Sequence, residues 1–271
     1  MYVLSLLRLE WRKVAPYTLF RVLLIFYAVL LPASYMVGKA ITINMNNNMV
    51  SGALDAYYTF PKVWQGLGYV GSWMTFLFFG YMAAQLFTNE VQFRTLRQNL
   101  LTGMTRSDWW LSKMLMLLCL SVAASLYYGL CGTLIGLSYT DVVFASRFTE
   151  GFYYMAVFAL QCFGYAVMAF TFGTLFRSGG LAVFLYFIYV LFLEIIVRWL
   201  IHGRIFGYSK AMHYYPANSL ADLFPFQGGE STMPGGNFAI YLPQQEAIAA
   251  AIFFTTLLLA LSWYRLQKAD W

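Results

Sequence analysis

Residues Gly66–Phe87 read GLGYVGSWMTFLFFGYMAAQLF, a run of 22 residues that contains no charged side chain. A helix of about 20 mostly apolar residues is long enough to cross the hydrocarbon core of a bilayer. The run is continuously apolar and lacks the alternation of apolar and polar residues that a barrel strand shows. The stretch therefore predicts a membrane-spanning α-helix, whose backbone hydrogen bonds are all made within the segment.

The composition of the whole chain indicates the same class of protein. Of its 271 residues, 61% are hydrophobic and only 10% are charged, whereas about a quarter of the residues of a soluble domain are charged. So few polar side chains cannot cover the surface of a soluble enzyme, and the chain is too apolar to be disordered. The net charge of +6 is carried by too few residues to form a phosphate-binding stripe, which excludes nucleic acid as a partner.

Five further segments have the length and hydropathy of membrane helices, so we predict an all-α polytopic protein that forms a single transmembrane domain over residues 1–271. The six predicted spans are residues 17–37, 66–87, 109–137, 151–176, 181–201 and 247–264. We expect the first span to be a retained anchor, because it starts late and is too long for a cleaved signal peptide. The longest connection, residues 202–246, is predicted to be an outer loop.

The distribution of Lys and Arg predicts the orientation of these spans, because cytoplasmic connections carry an excess of cations. With both termini placed in the cytoplasm, 11 of the 17 Lys and Arg residues lie on the inner side and six on the outer side. Four of the 11 acidic residues are inner, so the net charge is +7 inside and −1 outside. We therefore predict six transmembrane helices with cytoplasmic N- and C-termini.

Residues 1–16 are predicted to form an interfacial amphipathic helix, with apolar residues at helical spacing on one face and cations beside them. The apolar face comprises Leu4, Leu7, Trp11 and Val14, and the cations are Arg8, Arg12 and Lys13. Such a helix lies along the inner leaflet with its cations at lipid phosphates and its tryptophan at the boundary. The alternative is a plain anchoring segment ahead of the first span.

Residues 88–108 connect the second and third spans and are predicted to hold a short amphipathic helix on the cytoplasmic side. Glu90 and Arg94 lie at i and i+4, where opposite charges pair on a helix. Gly103 is a helix stop, and Ser107 or Asp108 is the candidate N-cap of the third span. The apolar stripe is Phe93, Leu96 and Leu100, and the cytoplasmic face holds Arg94, Arg97, Gln98 and Asn99. The alternative is a solvated connector that carries positive-inside cations.

The same connection resembles the cytoplasmic loop of ABC transporter type-2 permeases. In that family an acidic residue ends the second span, a Gly/Arg-Thr-Leu-type helix and a Gly/Pro-plus-Ser-Arg turn follow, and a lysine opens the third span. The matching residues are Glu90, Arg94-Thr95-Leu96-Arg97, Gly103-Met104-Thr105-Arg106 and Lys113. About 25 residues carry the motif, and the six-span architecture is similar over the full length. Thr105 in place of the commoner serine, and a missing proline in the turn, leave the substrate open.

The resemblance implies a permease subunit of an ATP-driven exporter in a bacterial-type cytoplasmic (inner) membrane. In that family the loop holds a coupling helix seated in a groove of a separate ATPase subunit. Two ATPase copies that bind ATP and Mg²⁺, and a second permease in a homo- or heterodimer, are then expected. The chain has no phosphate-binding loop, so we expect no cofactor and no catalytic residue on it. The implied ATPase-contact residues are Glu90, Arg94, Thr95, Leu96, Arg97, Gln98, Asn99, Gly103 and Arg106.

Small residues recur at spacings of three and four on the third span, a pattern that lets helices pack closely. They include Ser125, Gly129, Gly132 and Gly136. Internal packing of the bundle and a dimer interface between permeases both account for this pattern.

On the fifth span, Glu194 and Arg198 lie at i and i+4, and charges within a span are costly and usually paired. They predict either an ion pair that anchors the outer end of the helix or a polar gate on the exit path. The outer loop is predicted to form a cap of re-entrant or interfacial helices. Its His202 and His213 are not at ligand spacing, so we expect no metal site.

Two other functions remain open from the sequence. A non-transporting subunit of a mechanical or assembly complex would use the same coupling loop, so the sequence does not separate it from a transporter. A membrane-embedded lipid-modifying enzyme is less favoured, because the chain lacks His-Glu-x-x-His, Gly-x-Ser-x-Gly and paired acids on one span.

Overall fold

The computed structural model describes residues 2–44, 55–93, 95–141, 145–176, 178–225 and 241–268. Within these ranges the chain is helical and contains no strand. The helices are α1 (Tyr2–Val14), α2 (Thr18–Asn44), α3 (Lys62–Gln92), α4 (Thr95–Leu101), α5 (Arg106–Tyr139), α6 (Ala145–Phe176), α7 (Gly179–Ile205), α8 (Pro216–Ala221) and α9 (Gln244–Lys268). Two short 3₁₀ turns, Ala56–Tyr58 and Lys210–His213, lie in the connections.

Six of these helices, α2, α3, α5, α6, α7 and α9, are long and apolar enough to cross a membrane. The prediction of a helical, multi-pass membrane protein is therefore confirmed, and the orientation of its termini stays a prediction. The helices are longer than the predicted spans: α3 runs from Lys62 to Gln92, and α5 begins at Arg106. Hydropathy marks only the apolar middle of a span, whereas the helix continues into the flanking polar residues.

The centre of the bundle is α6, against which α3, α5 and α9 pack. Phe158 of α6 stacks on Tyr128 of α5 with 4.4 Å between the ring centroids. Phe170 of α6 meets Phe87 of α3 edge-on at 5.4 Å. Such aromatic contacts add about 0.5–1.5 kcal/mol to the packing of each pair. They hold α3 and α5 in place, and those helices carry the connection that contains α4.

The small residues of α5 pack against side chains of the same molecule. At Gly132 an added Cβ would lie 2.4 Å from the indole ring of Trp64 on α3, closer than any side chain tolerates. The other three residues have similar contacts within this chain. Ser125 donates to the carbonyl of Met155, an added Cβ at Gly129 would meet the side chain of Met155, and one at Gly136 would meet Phe60. All four therefore serve internal packing, which is the first of the two predicted alternatives.

The course of α7 is irregular around its charged residues. Wide π-helical turns at Tyr189–Leu193 and Val197–His202 lie on either side of Glu194–Ile196. Turns of this kind alter the direction of the side chains that follow them. Both Glu194 and Arg198 are buried, although α7 is the least buried of the six long helices.

Candidate functional site

Four charged side chains from three helices meet at the end of the bundle where α4 lies. Lys113 of α5 donates hydrogen bonds to Glu10 of α1 and, at 2.7 Å, to Oε1 of Glu90 on α3. Lys13 of α1 joins them, with its Nζ 3.1 Å from Glu10 and 3.0 Å from Glu90. These four residues, Glu10, Lys13, Glu90 and Lys113, are named the charge cluster below.

The charge cluster is buried and electrically balanced. The side chains of Glu10 and Lys113 are 0% and 1% exposed, and that of Glu90 is 10% exposed. Two carboxylates face two ammonium groups, and Trp109 Nε1 donates a further hydrogen bond of 2.6 Å to Oε2 of Glu90. Buried charges are tolerated when they are paired and hydrogen-bonded in this way, because an unpaired buried charge is costly.

Lys13 is the most exposed member of the charge cluster, with 32% of its side chain accessible. Burial lowers the pKa of Lys13, but the carboxylates of Glu10 and Glu90 outweigh burial and raise the pKa above its ordinary value of 10.5. Lys13 is therefore positively charged at neutral pH. The charge cluster thus joins α1 to the two spans that flank α4 by contacts between full charges.

The helix α4 has a buried face and an exposed face. Leu96 is 3% exposed and packs into the core, whereas Leu101 is 79% exposed. Arg97 and Gln98 are also exposed. The exposed face thus combines a cation, an amide and an apolar side chain, and the buried leucine attaches it to the bundle.

The end of α4 is closed by a hydrogen-bonded turn at Gly103, whose φ is +101°. The N–H of Gly103 donates to the carbonyl of Leu100 at 3.2 Å, and the N–H of Met104 donates to that of Asn99 at 3.1 Å. This pair of bonds is the Schellman arrangement, and its left-handed backbone position favours glycine. Gly103 ends the helix as predicted.

A family model described as "Protein of unknown function (DUF2705)" matches residues 25–271. The chain belongs to the DUF2705 family. The match covers α3, α4 and α5, and therefore Glu90 and Lys113, whereas Glu10 and Lys13 of α1 lie outside it. Comparison with curated proteins gives no match.

In this DUF2705 protein, Glu90 and Arg106, both predicted to contact the ATPase, bond to other parts of the chain. Glu90 is buried in the charge cluster and does not belong to the exposed face of α4. Arg106 donates through Nη1 to the carbonyls of Leu266 and Gln267, at 3.2 and 2.5 Å, and so caps the end of α9. Arg94, which was predicted to pair with Glu90 at i, i+4, lies outside the described residues.

The remaining predicted contact residues divide between the two faces of α4. Arg97, Gln98 and Gly103 are exposed, whereas Thr95 and Asn99 are half-buried and Leu96 is buried. Thr95 Oγ1 donates to the carbonyl of Glu90 at 3.3 Å, which ties the first turn of α4 to the end of α3. Only part of the predicted set is therefore free to touch another protein.

The N-cap of α5 is Thr105, whose Oγ1 accepts the N–H of Asp108 at 3.1 Å. The prediction of Ser107 or Asp108 at this position is wrong, because α5 begins at Arg106, ahead of both residues. A hydroxyl at this position satisfies one of the N–H groups that the first turn of a helix leaves without a partner.

The face that α1 buries differs from the predicted one. Leu6, Glu10 and Val14 are buried, whereas Leu4 is 68% and Trp11 is 50% exposed. The arginines at positions 8 and 12 are exposed. Glu10 was not among the predicted site residues. The sequence does place Glu10 four residues from both Leu6 and Val14, so the three side chains share one face of the helix, and this spacing could have predicted that Glu10 is buried with them.

A second polar network lies in the C-terminal half of α7. The predicted pairing of Glu194 with Arg198 is wrong, because each residue bonds to other partners in this network. Glu194 accepts the N–H groups of Ala217 and Asn218 at 2.9 and 2.6 Å, so its carboxylate caps α8. Arg198 donates to the carbonyl of Met212 at 2.9 Å and to the Asn218 amide oxygen. Both residues are described by the structure, and they form no salt bridge with each other. Each instead holds the segment 209–222 against α7.

Asp222 completes this network by accepting hydrogen bonds from Asn218 Nδ2 at 2.9 Å and from the N–H of Leu242 at 3.1 Å. His213 Nδ1 lies 3.6 Å from the same carboxylate oxygen of Asp222. Within the part of the chain that the structure describes, no three His, Cys, Asp or Glu side chains are placed to hold a metal ion. The network therefore has the contacts of a structural clamp that holds the segment 209–222 against α7.

Proposed function

We propose that this DUF2705 protein is the transmembrane permease subunit of an ATP-binding-cassette exporter and that α4 is its coupling helix. In this proposal a separate ATPase subunit, present in two copies, binds ATP and Mg²⁺ and seats α4 in a surface groove. A second permease completes the complex in the cytoplasmic membrane. The chain itself catalyses no reaction.

The main support for the proposal is that α4 exposes one face while its other face is fixed to the bundle. Leu96 is buried and Thr95 bonds the end of α3, while Arg97, Gln98 and Leu101 face outward. A rigid helix held between two spans transmits a push to both of them, as hinge and shear motions require. A plain solvated connector would not need this attachment.

Through the charge cluster, a movement of α4 would also be transmitted to α1. Lys113 bonds Glu90 at the end of α3 and Glu10 on α1, so the ends of α3 and α5 move with α1 as one unit. Domain movements in such proteins need elements that shift as rigid bodies, because packed cores do not deform continuously. A force on α4 would therefore reach α1, α3 and α5 together.

The chemistry of the exposed face defines the surface that it fits. Arg97 requires a carboxylate, Gln98 requires a donor or acceptor, and Leu101 requires an apolar recess. The partner groove would then have an apolar floor and an acidic rim.

The experiment that tests the proposal is co-purification with ATPase subunits encoded next to this chain, followed by measurement of ATP hydrolysis. We expect a nucleotide-binding subunit to be recovered in mild detergent with the wild-type chain. Arg97→Glu is expected to lower recovery or stimulated ATP hydrolysis by about tenfold or more, because a like charge at an interface costs several kcal/mol.

The matched control is Arg204→Glu, since Arg204 is also exposed but lies at the far end of α7. This variant should retain the recovery and hydrolysis of the wild type. The proposal fails if no nucleotide-binding subunit accompanies the wild-type chain, or if both charge reversals behave alike.

A further inference from the structure

A cavity of about 300 Å³ lies between α1, α2, α3 and α4, next to the charge cluster. It reaches the surface of the bundle, since its lining includes Phe93, which is 61% exposed, and Leu19, which is 40% exposed. Of the proposed ATPase-contact face of α4, Gln98 also lines this cavity, whereas Arg97 and Leu101 do not.

One end of the cavity is lined by cations and amides. Lys13 and Lys113 contribute ammonium groups, and Asn89, Gln98 and Asn99 contribute side-chain amides. Asn99 Nδ2 is buried and has no hydrogen-bond partner within the described chain. Lys13 has three N–H donors, of which the two carboxylates of the charge cluster take two. The cavity therefore presents unused donors close to a positive charge.

The carboxylate of Glu90 also lines the cavity, but its charge is already compensated. Its Oε1 accepts hydrogen bonds from Lys113 and Lys13, and its Oε2 accepts one from Trp109. Glu10, behind the lining, balances the second lysine, so the cavity offers a ligand hydrogen-bond donors and not a net charge. A group rich in acceptor oxygens, such as a phosphate, is therefore the chemistry that the polar end accommodates best.

The other end of the cavity is apolar and lies deeper along the spans. Leu23 of α2 and Tyr81 and Met82 of α3 line it. Tyr81 precedes Asn89 by eight residues on the same helix, which places the two about 12 Å apart along the helix axis. The cavity thus changes from polar to apolar along the direction in which a lipid changes from headgroup to acyl chain.

We propose that this cavity binds one phospholipid of the leaflet that surrounds α4, with its phosphate at Lys13 and Asn99 and the start of an acyl chain against Leu23 and Tyr81. A phosphate is the group that the polar end recognises, because the third N–H of Lys13 and the Asn99 amide are donors that no acceptor of the described chain uses. The site also touches α4 through Gln98 and Asn99, so the bound lipid would contact the helix that carries the proposed coupling surface.

The test is a binding titration of the purified chain in neutral detergent, followed by native mass spectrometry and thermal unfolding. The probe is short-chain phosphatidylglycerol, and the comparison probes are the matching diacylglycerol, which lacks the phosphate, and inorganic phosphate, which lacks the chains. We expect phosphatidylglycerol to bind and to raise the unfolding midpoint, and both comparison probes to bind about tenfold or more weakly.

The variant that locates the site is Asn99→Asp, which keeps the size of the side chain and places a negative charge where the phosphate is expected. It should weaken phosphatidylglycerol binding by about tenfold or more. The matched control is Gln92→Glu, because Gln92 is exposed on α3 and does not line the cavity. This control should bind as the wild type does.

Several results would overturn the proposal. Equal binding of diacylglycerol would mean an apolar crevice only, and equal competition by inorganic phosphate would mean an anion site without lipid selectivity. Unchanged binding by Asn99→Asp would place the lipid elsewhere. If that variant does not fold, the comparison of the three probes on the wild-type chain still decides the matter. The test measures lipid binding without any ATPase, so it is independent of the proposed function.

Discussion

The ammonium of Lys113 lies 2.7 Å from Oε1 of Glu90, and both side chains are withdrawn from solvent. The two residues belong to adjacent helices, α5 and α3, that are joined through α4. Their contact brings the two ends of the α4 connection together and makes them a common base. Glu10 of α1 shares the same lysine, so the N-terminal helix is part of that base.

The first prediction concerns the balance of charge in this cluster. Glu10→Gln removes one of two buried carboxylates and leaves an excess ammonium, so we expect the free energy of unfolding to fall by about 3–5 kcal/mol. The measurement is unfolding of the purified chain in mixed micelles. Arg12→Gln, an exposed position on the same helix, should change stability by less than about 0.5 kcal/mol.

The charge cluster also predicts that a second substitution restores the stability lost in Glu10→Gln. In the double variant Glu10→Met/Lys113→Met, one acid and one base are lost together, and Lys13 still faces Glu90 at 3.0 Å. Replacement of a whole buried pair by apolar side chains is often neutral, so most of the stability lost in Glu10→Gln should return. A double variant that is less stable than Glu10→Gln would contradict charge balance as the reason for the cluster.

A second prediction follows from the contact of Gly132 with Trp64. Gly132→Ala places a methyl group 2.4 Å from the indole ring, and overpacking of this kind costs about 1–3 kcal/mol. At Gly180 an added Cβ meets nothing within 4 Å, so Gly180→Ala should be neutral or slightly stabilising. Unfolding of both variants under one set of conditions is the measurement, and equal effects would show that the α3–α5 contact is not tight.

A third prediction concerns the clamp that holds the segment 209–222 against α7. Glu194→Ala leaves the N–H groups of Ala217 and Asn218 without their carboxylate partner, at a cost of about 1–3 kcal/mol for each buried group. Amide hydrogen exchange in α8 should accelerate strongly in this variant. Glu246→Ala removes an exposed acid whose partners are Lys210 and Tyr214, and exchange in α8 should then remain near that of the wild type.

A fourth prediction is that the stabilisation contributed by Lys13 is lost at alkaline pH. Its pKa is raised above 10.5 in the folded chain by the two carboxylates, against the effect of burial. A raised lysine pKa gives a stability contribution that is complete below 10.5 and is lost as pH rises through the folded-state value. The stability difference between wild type and Lys13→Met should therefore shrink at high pH. A difference that grows with alkaline pH would contradict this assignment.

Several features of the fold follow from local patterns and were predictable. The uncharged run Gly66–Phe87 indicates a span by itself, because hydropathy over about 20 residues is a property of one segment. Gly103 stops α4 through its own backbone conformation, which is a local property as well. The predicted N-cap, Ser107 or Asp108, lies two or three residues past the observed cap at Thr105, because several side chains in that turn have the chemistry of an N-cap.

The sequence by itself determined that the chain is a helical, multi-pass protein, that a short helix lies between its second and third spans, and that the few charges within its apolar segments need partners. Only the tertiary structure decided which partners they have. Glu10 and Lys113 are 103 positions apart, and Glu194 serves backbone groups of α8 in place of its neighbour Arg198. The energetic cost of a buried charge can be read from one segment, but its compensation depends on which helices lie side by side, and that arrangement is set by the packing of the whole bundle.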